Sequence, residues 1–454
     1  MSLREYLSEK DAVGELFRVK DVLSPVYEIP AVIKMHDGEG PILFENVTGF
    51  SNSVVANVCN SRKTLCDSLN VSIDSLHEHL HHALQNPTKC KVDKNTNKPR
   101  SNLKLIDIPI LTHYKGEQGP YITSGLVYAK NPSGEGENVS YHRMDAFSED
   151  RLSICVQPGH LKEYIQQARD ASLDHIDISI SIGNHPATMI AAALRPPKNV
   201  SEFDVANTLL NEDLKLCRCP NVDALAPSCA EIVIEGRLKV DETAPEGPYI
   251  CVTGTMKESK LMPVVKIVGV ICRDDYIYQG LLGGGLEHRL LESIPNEVKL
   301  WKRINESGYD LRGVNMTPQG SSWLHGVVSF RKKALKDGEK ILRTMFDEIP
   351  ALKHAFAVDT DIDPYDLREV EWALSTRFQG DKDLLMIPDS YASRLDPSSD
   401  LENKKGCKLG FDATIKRGEP ESYLKGEIPV SENVKKLFHS YLRAESRIHF
   451  TWRR

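Results

Sequence analysis

The run EIVIEGRLKV, residues 231–240, most restricts what this chain can become. Ile232, Ile234, Leu238 and Val240 alternate with Glu231, Glu235, Arg237 and Lys239, the two-residue period of a strand with one buried face. VVKIVGVICR at 264–273 reads as a second, more fully buried strand. SGLVYAKN, NVSYHRMDAF, RLSICVQ and ISISIGNHP precede them, punctuated by Gly, Pro and Asn as in antiparallel sheet. Helical patterns interrupt this β-rich centre. HLKEYIQQARDA follows Pro158-Gly159, and SEFDVANTLLNEDLKLC puts Phe203, Ala206, Leu209, Leu210 and Leu214 on one side. EHRLLESIPNEVKLWKRINE at 287–306 reads as helix broken near Pro295.

Both flanks read as α/β. On the N-terminal side, VVANVCN is a strand and SIDSLHEHLHHAL a helix with Ser72 near its N-cap. The Lys- and Asn-rich stretch at 89–102 reads as a surface linker. On the C-terminal side, HAFAVDTDID runs from strand into loop and DLREVEWALSTR is a helix. SENVKKLFHSYLRAE is a terminal helix from Ser431, with Leu437, Phe438, Tyr441 and Leu442 on one side. The expected fold is α+β, with an N-terminal α/β domain at 1–105, a β-rich domain at 106–300 and a C-terminal α/β domain at 301–454.

Apolar residues at 40% and charged residues at 27% fit a globular protein. The net charge of −7 argues against nucleic acid as a partner. No apolar run is long enough for a membrane span, and the first residues lack the apolar core of a secretory signal, so a cytoplasmic location is expected. The ten cysteines form no disulfide framework. Cys217 and Cys219 lack the second pair that a zinc ribbon needs.

Several motifs have bland readings when taken singly. His77 and His81 have metal-capable spacing, but a solvated helix face explains them better without an acidic third ligand. DTDID fails as a calcium loop, because Pro364 and Val370 stand where Gly and Glu are required. GLLGGGLEH fits either a close backbone approach to a ligand or a flexible turn. Asn138 and Arg143, five apart, fall on opposite faces of a regular strand. Arg143 suits a structural ion pair or a carboxylate clamp equally well. His160 opens a helix, where it could meet a phosphate or merely cap. Glu246, in PEGP, reads alone as an exposed turn residue.

Taken together these segments say more. Asn138 and Arg143 in ENVSYHR, QPGH with His160, Glu202 in NVSE, EIVIEG and PEGP occur in one order and spacing. IDIPIL and GPYIT come before them. YQGLLGGGLEHRLLESIP, VEWALSTRFQGDKDLLMIP and GCKLGFDAT come after. The sequence resembles the UbiD family of decarboxylases over nearly its whole length. The resemblance implies a central split β-barrel that binds prenylated FMN, a cofactor supplied by a flavin prenyltransferase. It implies that Asn138, His160 and Glu202 hold Mn2+ (or Mg2+) against the cofactor phosphate, with K+ often nearby, a donor set that suits a hard divalent ion. It assigns Lys408 to the same phosphate, Thr123 to the flavin ring, and Arg143 and Glu246 to the reacting centre. There the arginine orients a substrate carboxylate and the glutamate steadies the arginine.

One position departs from the family pattern. Cys251 stands where the family normally carries Glu or Asp as proton donor. Three readings stay open: Glu246 or an ordered water donates, Cys251 donates, or the chain binds cofactor with little or no turnover. The PYxxVTGT run resembles the archaeal branch, part of which is similar to trans-anhydromevalonate 5-phosphate decarboxylase, yielding isopentenyl phosphate. Such a substrate needs cations, and Arg289 and Lys299 lie near GGGLEH. An aromatic or polyprenyl-aromatic acid is the alternative substrate. A cofactor-binding subunit of a larger carboxylase, or a flavin oxidoreductase, is the alternative class. A homo-oligomer is expected, as in the family.

Overall fold

The computed structural model describes residues 1–93, 100–101, 103–134 and 136–416, and then 420–423, 425–426, 428–434 and 436–438. Met1–Thr414 forms one compact unit, and Ile415–Arg454 is a second. The described part of the second unit includes a single turn of 3-10 helix at Pro420–Tyr423. Most of the helix expected from Ser431 lies outside the described residues.

The first unit has α+β architecture. Its largest sheet has nine strands. The hydrogen-bonded path runs Tyr121–Ile122, Met144–Ser148, Arg151–Ile154, Lys260–Cys272, Ile232–Glu246, His175–Ile182, Leu126–Lys130 and Glu137–Tyr141. Arg100–Ser101 adds to Lys260–Cys272 off this path. Every pairing is antiparallel, and among the described residues the path does not close on itself. The two strands anticipated at EIVIEG and VVKIVG are its longest members and pair with each other.

The alternation in EIVIEGRLKV is only half realised. Ile232, Ile234, Leu238 and Val240 are buried as expected, but Glu231 and Glu235 are buried too. Glu231 accepts two bonds from Arg4, both at 2.8 Å, and Glu235 accepts the Asn221 backbone N–H at 2.8 Å. Polar partners from other parts of the chain therefore cover a face that the pattern assigns to water.

The N-terminal sheet also departs from its sequence boundary. Phe17–Leu23, Ile42–Val47 and Ser53–Ala56 are completed by Ile277–Gln279, far beyond residue 105. The stretch at 89–102 is not purely linker: Lys91–Asp93 pairs with Lys215–Arg218, and Arg100–Ser101 joins the large sheet. The helix Leu76–Gln85 starts after Ser75, not Ser72. A five-stranded mixed sheet, Asp310–Met316, His325–Arg331, His354–Asp359, Lys405–Asp412 and Leu384–Tyr391, forms the C-terminal part of the unit.

The helix Leu286–Glu306 is continuous through Pro295. Buried carboxylates tie it down on both sides of the proline. Glu287 accepts the backbone N–H groups of Asn57 and Cys59, and Glu297 accepts from Arg62, His77 and the Met316 N–H. Tertiary anchoring of this kind outweighs the break that proline favours. It also corrects the reading of His77, which is buried against Glu297 and not solvated, while His81 is half-buried beside Trp301. The helix Glu202–Leu209 buries Phe203, Ala206 and Leu209, and Leu210 and Leu214 follow it into the same core. All ten cysteines are free thiols, and no helix among the described residues is long and apolar enough to cross a membrane.

Candidate active site

The reacting centre expected from the resemblance has a clear geometric core. The strand Ile232–Glu246 ends on Glu246, so this residue precedes the Gly247-Pro248 turn and does not protrude from it. Its side chain is 1% exposed. Arg143 Nε and Nη2 donate to Glu246 Oε1 and Oε2 at 2.6 and 2.8 Å, a bidentate pair. The guanidinium also lies over the Tyr249 ring, 4.7 Å from its centroid. Burial opposes the charge on Arg143, but the hydrogen bonds to Glu246 together with the electrostatics of Cys155, Glu246 and Tyr249 outweigh it and hold the group above its ordinary value. Arg143 is not in one strand with Asn138. The chain leaves Glu137–Tyr141 and re-enters the sheet at Met144–Ser148, so Arg143 occupies the break.

Tyr249 is held from both sides. Its ring packs on Tyr121 at 4.6 Å between centroids, and Tyr121 Oη accepts the Gly247 N–H at 2.9 Å. On the other side stands Gly283, where a Cβ would lie 2.5 Å from Tyr249 Oη. At Gly284 it would meet Ile250 Cγ2 at 3.0 Å and the Cys251 carbonyl at 3.3 Å. Gly284 also has φ +70°, which a side chain disfavours. The close approach allowed by the glycine run is therefore to the protein's own PYICVTG segment.

Cys251 is buried and turned into its own loop. Its Sγ lies 3.2 Å from Thr253 Oγ1, and its backbone N–H donates to Thr255 at 3.0 Å. Among the described residues its hydrogen bonds reach neither Arg143 nor Glu246. Arg289 Nε donates to the Val252 carbonyl at 3.2 Å, so it faces this loop, whereas Lys299 points to Glu348.

The expected metal ligands are partly assembled. Asn138 is buried on Glu137–Tyr141, and the adjacent Val139 N–H donates to Glu202 Oε2 at 2.8 Å. A relay fixes the Asn138 amide: Nδ2 donates to Ser140 Oγ at 2.8 Å, Ser140 Oγ lies 2.9 Å from His142 Nε2, and His142 Nδ1 lies 2.9 Å from the Cys155 carbonyl. This leaves Asn138 Oδ1 as a neutral donor. Burial pushes Glu202 up to about 8, against two backbone hydrogen bonds, and no cationic side chain pairs with it among the described residues. A buried carboxylate beside a neutral oxygen fits a cation. His160 is the first residue of the helix His160–Asp170, after Gly159. No group of three His, Cys, Asp or Glu residues forms a metal cluster among the described residues, so the amide oxygen is a necessary part of any such set.

Thr123 follows Tyr121–Ile122, and its Oγ1 accepts the Leu281 N–H at 3.1 Å. Lys408 is elsewhere. Its Nζ donates to the Pro350 carbonyl at 2.7 Å and lies over the Phe346 ring, so its described contacts stay within the C-terminal part. Sequence reasoning did not single out Tyr121, Tyr249, Asp145 or Cys155. The thiol of Cys155 sits beside both Arg143 and Glu246, and Asp145 is fully buried nearby.

Comparison with known proteins agrees over the whole compact unit. Three profiles of 3-octaprenyl-4-hydroxybenzoate carboxy-lyase match in succession: the N-terminal domain at residues 7–84, the Rift-related domain at 83–286 and the C-terminal domain at 289–413. Anhydromevalonate phosphate decarboxylase of Methanothermobacter thermautotrophicus is 34% identical, with 91% of this chain and 97% of the relative aligned. The protein of the same name from Aeropyrum pernix is 32% identical, with coverages of 94% and 96%. The UbiD-class enzyme HmfF from Pelotomaculum thermopropionicum, solved with FMN, superposes with a TM-score of 0.92 at 33% identity, covering 97% of this chain and all of the other. With all three parts matched in order and relatives above 30% identity along nearly the full length, the chain belongs to the UbiD family of carboxy-lyases.

Proposed function

We propose that this protein is a prenylated-FMN-dependent decarboxylase, acting on a small α,β-unsaturated acid in the manner of the anhydromevalonate phosphate decarboxylases it matches. The observation that carries this reading is the bidentate Arg143–Glu246 pair over Tyr249, with its carboxylate buried and its guanidinium half-buried. Its support is the near full-length match to two archaeal enzymes of that name. We read the nine-stranded sheet as the family's split barrel, and the boundaries near 105 and 300 as its domain limits.

Prenylated FMN, when bound, supplies the electron sink for loss of CO2. Asn138, His160 and Glu202 would hold Mn2+ or Mg2+ against its phosphate, with K+ alongside, and Thr123 would border the ring. Lys408 would have to leave the Pro350 carbonyl to reach the phosphate. Arg143 presents its remaining N–H edge to the substrate carboxylate, and Glu246 fixes its plane. Burial of the Glu246 carboxylate lowers the local dielectric and strengthens its hold on Arg143. Arg289 is the cation assigned to the substrate phosphate. Its Nε is used on Val252, and no described hydrogen bond uses its terminal nitrogens. We further propose a homo-oligomer in the cytoplasm.

A panel assay tests the reading. Protein co-expressed with a flavin prenyltransferase is offered trans-anhydromevalonate 5-phosphate, a cinnamate and a hydroxybenzoate, and CO2 release is measured. Turnover of the phosphorylated acid is expected; turnover of an aromatic acid alone would move the assignment to that substrate class. The second reading, a cofactor-binding subunit, rests on Cys251 in the donor position. Cofactor-loaded protein that releases CO2 from none of the acids would establish it.

A further inference from the structure

Removing CO2 from a carboxylate and placing hydrogen on the same carbon consumes one proton. Cys251 is turned toward Thr253, and Glu246 is tied to Arg143. A proton source behind the pair is needed. This inference rests on the decarboxylase reading above.

Asp145 lies on Met144–Ser148, two residues after Arg143, and pairs across the sheet with Tyr121 on one side and Ser153 on the other. Its side chain is fully buried. Neither carboxyl oxygen has a hydrogen-bond partner among the described residues, and the Ser153 Oγ opposite is also unpartnered. The backbone of Gly119 approaches so closely that a Cβ there would lie 3.1 Å from Asp145 Oδ1. Tyr121, its cross-strand neighbour, reaches the segment after Glu246, since its hydroxyl accepts the N–H of Gly247, the next residue. The groups facing Asp145 are Glu246, Glu117, Tyr121 and Ser153, with the Arg143 guanidinium committed to Glu246.

A buried carboxylate without a cation or a donor is costly, whereas the neutral acid is not. We infer that Asp145 is the proton store of the reaction: it holds a proton in its buried carboxyl group and passes it to Glu246, which gives it to the carbon that loses CO2. The carbon–carboxyl bond breaks and its electron pair stays on the carbon. That carbon takes the Glu246 proton, Glu246 takes the Asp145 proton, and solvent reprotonates Asp145. Asp145 thus acts through Glu246 and is a positioning residue for the proton. Burial first, then the charges of Glu246 and Glu117, push Asp145 up to about 6, so the store is filled below that pH and empties above it.

Two measurements on full-length protein test this. Infrared difference spectra of the cofactor-free protein, taken across pH 5 to 7.5, should contain a buried carboxylic-acid band with its midpoint near 6 that Asp145→Asn removes, while the bands of Glu202 and Glu287 titrate higher and remain. In the loaded enzyme, kcat should fall as pH rises through about 6. Asp145→Asn should lower kcat at least ~10-fold and abolish that limb, and Asp145→Glu should restore it. Asp145→Ser serves the same comparison if the asparagine variant does not fold. The proposal is overturned if the band survives in the variant, if rate and profile are unchanged, or if the rate falls equally at every pH, as a structural role would give. A wild-type protein that carries the band but decarboxylates no acid overturns the decarboxylase reading, and the relay with it.

Discussion

Gly283 and Tyr249 stand closer than any side chain at 283 would permit, with 2.5 Å between a Cβ and the phenol oxygen. Tyr249 in turn supports the Arg143 guanidinium. Gly283→Ala must therefore shift the ring and disturb the pair with Glu246. The expected cost is about 1–3 kcal/mol of stability from overpacking, read by urea unfolding, and a fall in kcat/KM larger than stability alone explains. A variant with wild-type kinetics would remove Tyr249 from the positioning of Arg143.

Glu246→Gln keeps the shape but removes the charge that orients Arg143. Decarboxylation should fall by roughly 100-fold or more, beyond whatever stability is lost by leaving Arg143 without its carboxylate, which urea unfolding reads separately. Cys251→Ala should cost far less, because its thiol faces Thr253. Equal losses in the two variants would restore Cys251 to the centre of the chemistry.

The metal set gives a third expectation. Glu202→Gln should weaken Mn2+ binding by about 10- to 100-fold or more, measured by calorimetric titration of cofactor-free protein. Chelator treatment of the loaded wild type should release flavin. Unchanged Mn2+ affinity would exclude Glu202 as a ligand.

The buried cluster of Arg62, His77 and Glu297 makes acid stability testable. Burial raises the Glu297 carboxyl, but the Arg62 charge and the hydrogen bonds from His77 and Arg62 outweigh it and bring the group down to about 2. A depressed folded-state value contributes stability above the unfolded carboxylate range near 4.3, lost as pH falls through about 2. Glu297→Gln should flatten the stability profile over that window. Arg62→Met, which leaves the carboxylate buried and less compensated, should cost about 3–5 kcal/mol at neutral pH. Both are read from chemical unfolding at stepped pH.

Much of this was legible in the sequence, for identifiable reasons. Strand periodicity located the two longest strands, and the order of Asn138, Arg143, His160, Glu202 and Glu246 carried the family resemblance. What stayed hidden depended on partners distant in the chain. Nothing local says that Glu231 meets Arg4, or that His77 meets Glu297. Pro295 reads as a break because local rules ignore the anchors at Glu287 and Glu297. Asp145 follows Arg143 by two residues, the spacing of one strand face, but only the absence of a partner in three dimensions makes it noteworthy.

The strand Ile277–Gln279 gives the N-terminal sheet a history as well as a shape. The other three strands are synthesised by Ala56, yet the fourth does not exist until translation reaches Ile277. At about 5–20 residues per second that is an interval on the order of ten to forty seconds. During it, Ser53–Ala56 offers an unpaired edge on the ribosome. The first sheet begun is thus among the last completed, and nascent chains stalled between these points carry an edge open to wrong partners.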